Sequence, residues 1–154
     1  MSTALNKQLL QDIFAELAKS NAKPFVEAMA DDFRWTILGA TKWSKTYAGK
    51  HAVLNELFAA LRVTLTANAT TIAHRFIAED DLVVVEARGN NVTKTGLPYN
   101  NAYCFVFRLS GGKLKELTEY LDTELVSKVL GDPASRLQAP SGARTPISIG
   151  GATR

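Results

Sequence analysis

The sequence predicts an α+β fold: a curved antiparallel sheet, wrapped by about three N-terminal helices, around a conical pocket. Three observations predict it. Apolar residues at helical spacing are concentrated before residue 62. Strand-like runs then fill most of 65–122, and helices followed by consecutive strands indicate segregated α and β layers. Finally, Ser110-Gly111-Gly112-Lys113 separates two alternating runs, a hairpin signal because both central turn positions need positive φ.

The first helix is predicted over 3–20, where Leu5, Leu9, Ile13 and Leu17 recur every fourth residue and Thr3 can cap the start. Pro24 opens a short second helix with Phe25, Val26 and Met29 on its apolar side. Phe33 to Leu38 alternates like a strand between Asp31-Asp32 and Gly39, and 39–49 is a loop carrying Trp43 and Tyr47. Val53, Leu54, Leu57, Phe58 and Leu61 give one face of a third helix over Lys50–Leu61. Strands are predicted over Leu65–Ala78 and Leu82–Thr93, with Glu79-Asp80-Asp81 as their turn, and Leu82-Val83-Val84-Val85 suits a strand covered on both faces. Gly89 and Gly96 are compatible with a sheet that curls. Thr123 to Leu130 forms a last short helix, ended by Gly131-Asp132-Pro133. Residues 1–131 thus read as one domain, and 132–154, rich in Ala, Ser, Gly, Pro, Thr and Arg, as a flexible tail.

Bulk composition narrows the function classes. A chain of 154 residues is large enough for a core without staples, and its single cysteine, Cys104, excludes an internal disulfide. Arg136, Arg144 and Arg154 against Asp132 give the tail +2 of the formal +3, so the body carries about +1 and no basic stripe. Nucleic-acid binding is therefore not expected. No apolar run approaches the ~20 residues of a membrane span, and the N-terminal stretch has Asp12 and Glu16 inside its periodic part, unlike a secretion signal. A cytoplasmic location and no membrane contact are expected. His51 and His74 lie in different elements without Cys partners or HExxH spacing, so no metal site is expected. Phosphate-cradling glycine loops and the GxSxG nucleophile motif are absent, and no cofactor is expected.

The chemistry concentrates in the hairpin 99–122. With Gly111-Gly112 as a two-residue turn, Ser110 pairs with Lys113, Phe105 with Thr118, Tyr103 with Tyr120 and Asn101 with Asp122. Asn101, Tyr103, Phe105, Phe107, Thr118, Tyr120 and Asp122 then share one face, a wall suited to a ligand pocket. Val106, Leu117 and Leu121 fall on the opposite face as an apolar patch that a second subunit would cover. Asp122 has two roles open to it: it can cap the helix that follows, or it can act in the pocket as an acid/base.

The phrases FRWTILG, TYAGKHAVLNELFAAL, AEDDLVVVEARG and YCFVFRLSGGKLKELTEYLDT, spread over roughly residues 5 to 130, resemble the nuclear-transport-factor-two-like superfamily, in particular its SnoaL-like and ketosteroid-isomerase-related branch. The resemblance implies a cystatin-like α+β barrel with a conical apolar pocket and a homodimer formed through the sheet. It also implies, from the SnoaL-like cyclases, a general acid/base at the end of the last strand, which Asp122 matches. Asn101 and Tyr103 would then donate to a developing enolate. The remaining expected ligand contacts are Trp35, Tyr47, Phe105, Tyr120 and His74. The steroid isomerases carry an Asp after the first strand, where this chain reads RWTILGATKWSKTY with no acid. The epoxide hydrolases use Arg and Asp two apart on a central strand, where this chain has Glu86-Ala87-Arg88-Gly89, read as a structural ion pair. The leading reading is a binder of small hydrophobic carbonyl compounds that moves a proton next to the carbonyl. The alternative is a non-catalytic ligand-binding or dimeric interaction module of the same fold.

Overall fold

The computed structural model describes residues 2–138. Helix α1 (Thr3–Leu17) begins at Ser2, whose hydroxyl accepts from the Leu5 amide at 3.2 Å. The cap is thus one residue earlier than expected, and Thr3 Oγ1 instead donates to the Asp80 carbonyl at 2.9 Å. Helix α2 (Lys23–Ala28) has Pro24 in its first turn. Strand β1 (Met29–Ile37) follows at once, and Tyr47 lies in a short strand, β2 (Thr46–Ala48), rather than in a loop.

One helical stretch runs from 50 to 64: α3 (Lys50–Ala52), a π-helical segment Val53–Phe58, and α4 (Ala59–Thr64). The π turn widens the helix where Leu57 and Phe58 enter the interior. Strands β3 (Thr70–Glu79), β4 (Leu82–Asn90), β5 (Ala102–Ser110) and β6 (Lys113–Leu121) complete the sheet, followed by α5 (Thr123–Val129).

The strand order is β2-β1-β6-β5-β4-β3. Neighbours are antiparallel except β1 and β6, which run parallel, so the sheet is mixed where the sequence predicts a purely antiparallel one. The parallel pair seats Trp35 beside Leu117 and Ile37 beside Glu119. Helix α1 lies over β3 and β4, and the core gathers Leu10, Ile13 and Phe14 from α1 with Phe33, Val83, Val85, Phe107, Leu114 and Leu117 from the sheet.

The hairpin turn forms as predicted, with Gly111 at φ 56° and Gly112 at φ 75°, and Ser110 opposite Lys113. The register beyond it does not. Leu109 pairs with Leu114 but Arg108 pairs with Glu116, so Lys115 is an extra residue in β6. From there every pairing slips by one: Phe107 faces Leu117, Phe105 faces Glu119 and Tyr103 faces Leu121. Leu117, Glu119 and Leu121 point inward, and Thr118 and Tyr120 point outward. The physical reason is burial. The unbulged register would leave Leu117 in water, at a cost of about 1.5–3 kcal/mol, and would bury the Thr118 and Tyr120 hydroxyls in its place.

Part of the expected tail is helical. Asp132 Oδ1 accepts from the Ala134 amide at 2.9 Å and starts α6 (Pro133–Gln138), which packs on α4. The rest of the expected tail, 139–154, lies outside the described residues.

Candidate functional site

The concave face of the sheet, α1, the 50–64 helix and α5 enclose a cavity of about 550 Å³. Its walls are mostly aromatic and aliphatic. Trp35 meets Phe25 and Phe58 edge-on at 5.7 and 5.8 Å, and Tyr103 stacks on Phe105 at 4.9 Å with the rings 14° apart. Trp43, anchored by its Nε1–H to the Gly131 carbonyl at 2.8 Å, closes part of the floor.

One acid lies within this wall. Glu119 is 7% exposed, and its Oε2 accepts from Trp35 Nε1 at 2.7 Å. Its side chain lines the cavity, and among the described residues no hydrogen bond engages the other carboxyl oxygen. Burial pushes its pKa up to about 7, against a smaller lowering by the Trp35 hydrogen bond. The group can therefore hold or release a proton near neutrality, the property a general acid/base needs.

Two tyrosine hydroxyls share the cavity. Burial pushes Tyr99 up to about 12, with the hydrogen bonds of Asn101 and Tyr103 opposing, and pushes Tyr103 well above its ordinary value. Both are neutral donors at any physiological pH. Tyr103 and Glu119 come from facing strands, on the same concave face.

The expected site residues divide. Trp35, Tyr103 and Phe105 line the cavity. Asn101 does not. It is fully buried, donating from Nδ2 to Tyr99 Oη and to the Asp122 carbonyl, both at 3.1 Å, and accepting from the Asp122 amide at 2.9 Å. It clamps the ends of β5 and β6. Asp122 is not among the lining residues either. Its Oδ1 accepts from the Glu124 and Leu125 amides at 3.0 and 3.2 Å, capping α5.

Tyr120 is 47% exposed on the outer face, where the bulge sends it. His74 is exposed on β3, 3.9 Å from Glu86. Tyr47 is buried behind the cavity, its hydroxyl donating to the Trp43 carbonyl at 3.3 Å, so it supports the floor without lining it. Glu86 pairs with Arg75 at 3.1 Å and not with Arg88, so the expected ion pair is replaced by one across β3 and β4. Leu117 and Leu121, expected on the outer patch with Val106, line the cavity instead.

Glu119 is the residue that sequence reasoning missed. The signal was present. Leu114 and Leu117 are three apart, so an unbroken strand would put them on opposite faces. Burying both requires a bulge between them, and the bulge carries Glu119 inward. Among the described residues, no three His, Cys, Asp or Glu side chains converge as a metal site would need, and no helix is long and apolar enough to cross a membrane.

A mixed sheet thus wraps around a mostly apolar, aromatic cavity whose described lining carries one acid, the arrangement of a small-cavity α+β protein. The model of the SnoaL-like domain matches residues 10–117, and the chain belongs to that family. No curated protein matches it. Among solved structures, it is similar to an NTF2-like protein of unknown function from Burkholderia pseudomallei, with a TM-score of 0.72 and 18% identity, over 85% of this chain and 99% of that one. It is also similar to a putative SnoaL-like polyketide cyclase from Jannaschia (TM-score 0.67, 16% identity, 83% and 92% covered). A third similar structure, from Catenulispora acidiphila, has a ketosteroid isomerase-like fold and is in complex with trimethylamine (TM-score 0.64, 16% identity, 82% and 95% covered). At these identities the likeness is one of fold.

Proposed function

We propose that the chain binds a small apolar carbonyl compound in the cavity and moves a proton from one carbon to another beside the carbonyl. The observation that carries this reading is Glu119, a buried carboxyl tied by one oxygen to Trp35 and lining an apolar cavity. Ionised Glu119 takes a proton from the carbon next to the carbonyl, and the C–H electron pair passes into an enolate. The Tyr103 hydroxyl, turning its one proton from Tyr99 toward the ligand, donates a hydrogen bond to the enolate oxygen. Glu119 then delivers a proton to a different carbon, its carboxyl able to exchange with solvent while the enolate is held, so the step balances without oxidant, reductant or cofactor. Glu119 takes the acid/base role that the sequence offered to Asp122, whose carboxylate is engaged with α5.

A similar solved structure, TerC, was co-crystallised with polyporic acid, and the Catenulispora protein is in complex with trimethylamine. Both support a small-molecule reading of this fold. The outer sheet face presents Ile72, Ile77 and Tyr120, each about half exposed, and a homodimer through that face fits the same reading.

The test is deuterium exchange in D2O, followed by NMR, at the carbon beside the carbonyl of a panel of cyclic enones. The natural protein accelerates exchange for at least one member, and Glu119→Gln abolishes that acceleration while Asp122→Asn keeps it. Equal exchange with Glu119→Gln would overturn the mechanism. A second reading, binding without turnover, is favoured by the same Trp35 hydrogen bond, which satisfies the indole N–H with or without chemistry. It predicts ligand binding by both variants and no exchange by either.

A further inference from the structure

We propose that the ligand is an amphipathic organic anion, its charged head held at the cavity mouth by Arg62 and Lys94 and its apolar body directed toward Glu119. This deepens the reading above, adding a charged head to the apolar carbonyl-bearing body that reaches Glu119, and rests on the cavity being a ligand site.

The two ends of the cavity differ in charge. Glu119 is the one acid among the lining residues, and it is buried. Arg62 and Lys94 are the two cations among them, and both are exposed at the rim. Among the described residues neither has a carboxylate within ion-pair distance, whereas Lys45, Arg75, Arg108 and Lys115 all do. The rim therefore carries a positive field that the described residues do not neutralise by ion pairing.

The backbone holds the two cations on the same rim. The Lys94 amide donates to the Thr64 carbonyl at 2.9 Å, and the Thr66 amide donates to the Val92 carbonyl at 2.9 Å. Leu65 and Thr93 form a bridge between these bonds. The loop that bears Lys94 is thus stitched to the end of α4, which bears Arg62. Apart from these charged groups the cavity wall is mostly apolar, its polar groups being neutral hydroxyls and an amide such as those of Tyr99, Tyr103, Thr66 and Asn91. An anionic head cannot move inward past it, because desolvation and repulsion by ionised Glu119 both oppose that. A hydrocarbon body can, which fixes the orientation of the ligand.

The chain's two tryptophans, Trp35 and Trp43, both line the cavity, so intrinsic fluorescence reports occupancy directly. The probes are decanoate and 1-decanol, matched in chain length and different in charge. Decanoate should bind about tenfold more tightly than 1-decanol, the scale that two exposed ion pairs to one carboxylate reach together. The double variant Arg62→Gln/Lys94→Gln changes only exposed side chains. It should lose that preference while leaving 1-decanol affinity within about twofold, and added salt should weaken decanoate alone. Equal affinity for both probes, or unchanged decanoate binding by the double variant, would overturn the anionic head and leave the cavity reading standing. No fluorescence response to either probe would overturn the cavity reading and this proposal with it.

Discussion

Trp35 Nε1 donates to Glu119 Oε2 at 2.7 Å across the one parallel strand pair of the sheet. That bond stabilises the ionised form of Glu119 against the burial that favours the neutral form. Trp35→Phe removes the bond and keeps an aromatic wall. The Glu119 pKa should then rise above about 7 by roughly one pH unit, as the loss of one hydrogen bond to a charged group implies. A carbon-13 NMR titration of the labelled carboxyl measures it, and a fall in pKa would refute the balance of causes given above.

The same acid sets a pH window for stability. Its ordinary pKa is 4.5 and its folded value is about 7. Between those values the folded chain keeps a proton that the unfolded chain has released. The contribution to stability is fully present below pH 4.5 and is lost as pH rises through 7. The loss is on the order of 3 kcal/mol. Urea denaturation from pH 4 to 8 should show this decline in the natural protein and a flatter profile in Glu119→Gln, which should be the more stable of the two at pH 8. Parallel profiles would mean that Glu119 is not the titrating group.

Asp122 serves α5 through two backbone amides. Asp122→Ala should cost about 1 kcal/mol, the usual worth of an N-cap, and leave ligand affinity within about twofold. Denaturation and fluorescence titration on the same sample separate these effects. A large loss of affinity with intact stability would return Asp122 to the cavity chemistry.

Asn101 is a buried clamp whose amide makes three hydrogen bonds. Asn101→Ala strands the Tyr99 hydroxyl and the backbone of Asp122, and the cost should be on the order of 2–4 kcal/mol. A loss under about 0.5 kcal/mol in urea denaturation would show that water replaces the amide without penalty.

How much of this was legible in the sequence depends on how local the signal was. The Gly111-Gly112 turn, the helix of 3–17, the 79–81 turn and the strands between them are written in spacing and turn chemistry, which act over a few residues. The aromatic wall of Trp35, Tyr103 and Phe105 followed from parity within single strands. The faces of Leu117, Glu119, Tyr120 and Leu121 did not, because they depend on Lys115, whose side chain gives no turn signal. The parallel pairing of β1 with β6 brings together residues more than 80 apart, and nothing local to either strand states it. The start of α6 was readable: Asp132 before Pro133 is a cap and a first-turn proline, but the composition of the residues beyond it obscured the signal.

The extra residue at Lys115 also bears on how such a cavity changes over time. Closing the bulge with no residue removed, so that Lys115 pairs with Arg108, would rotate the strand beyond it and exchange Glu119 for Thr118 and Tyr120 in the wall, whereas deleting Lys115 would leave Glu119 opposite Phe105. A family built on this hairpin can therefore gain or lose an acid in its cavity by forming or closing a bulge several residues away from it. Descendants can then share fold, length and nearly all their letters and still differ in whether their cavities hold a titratable group at all.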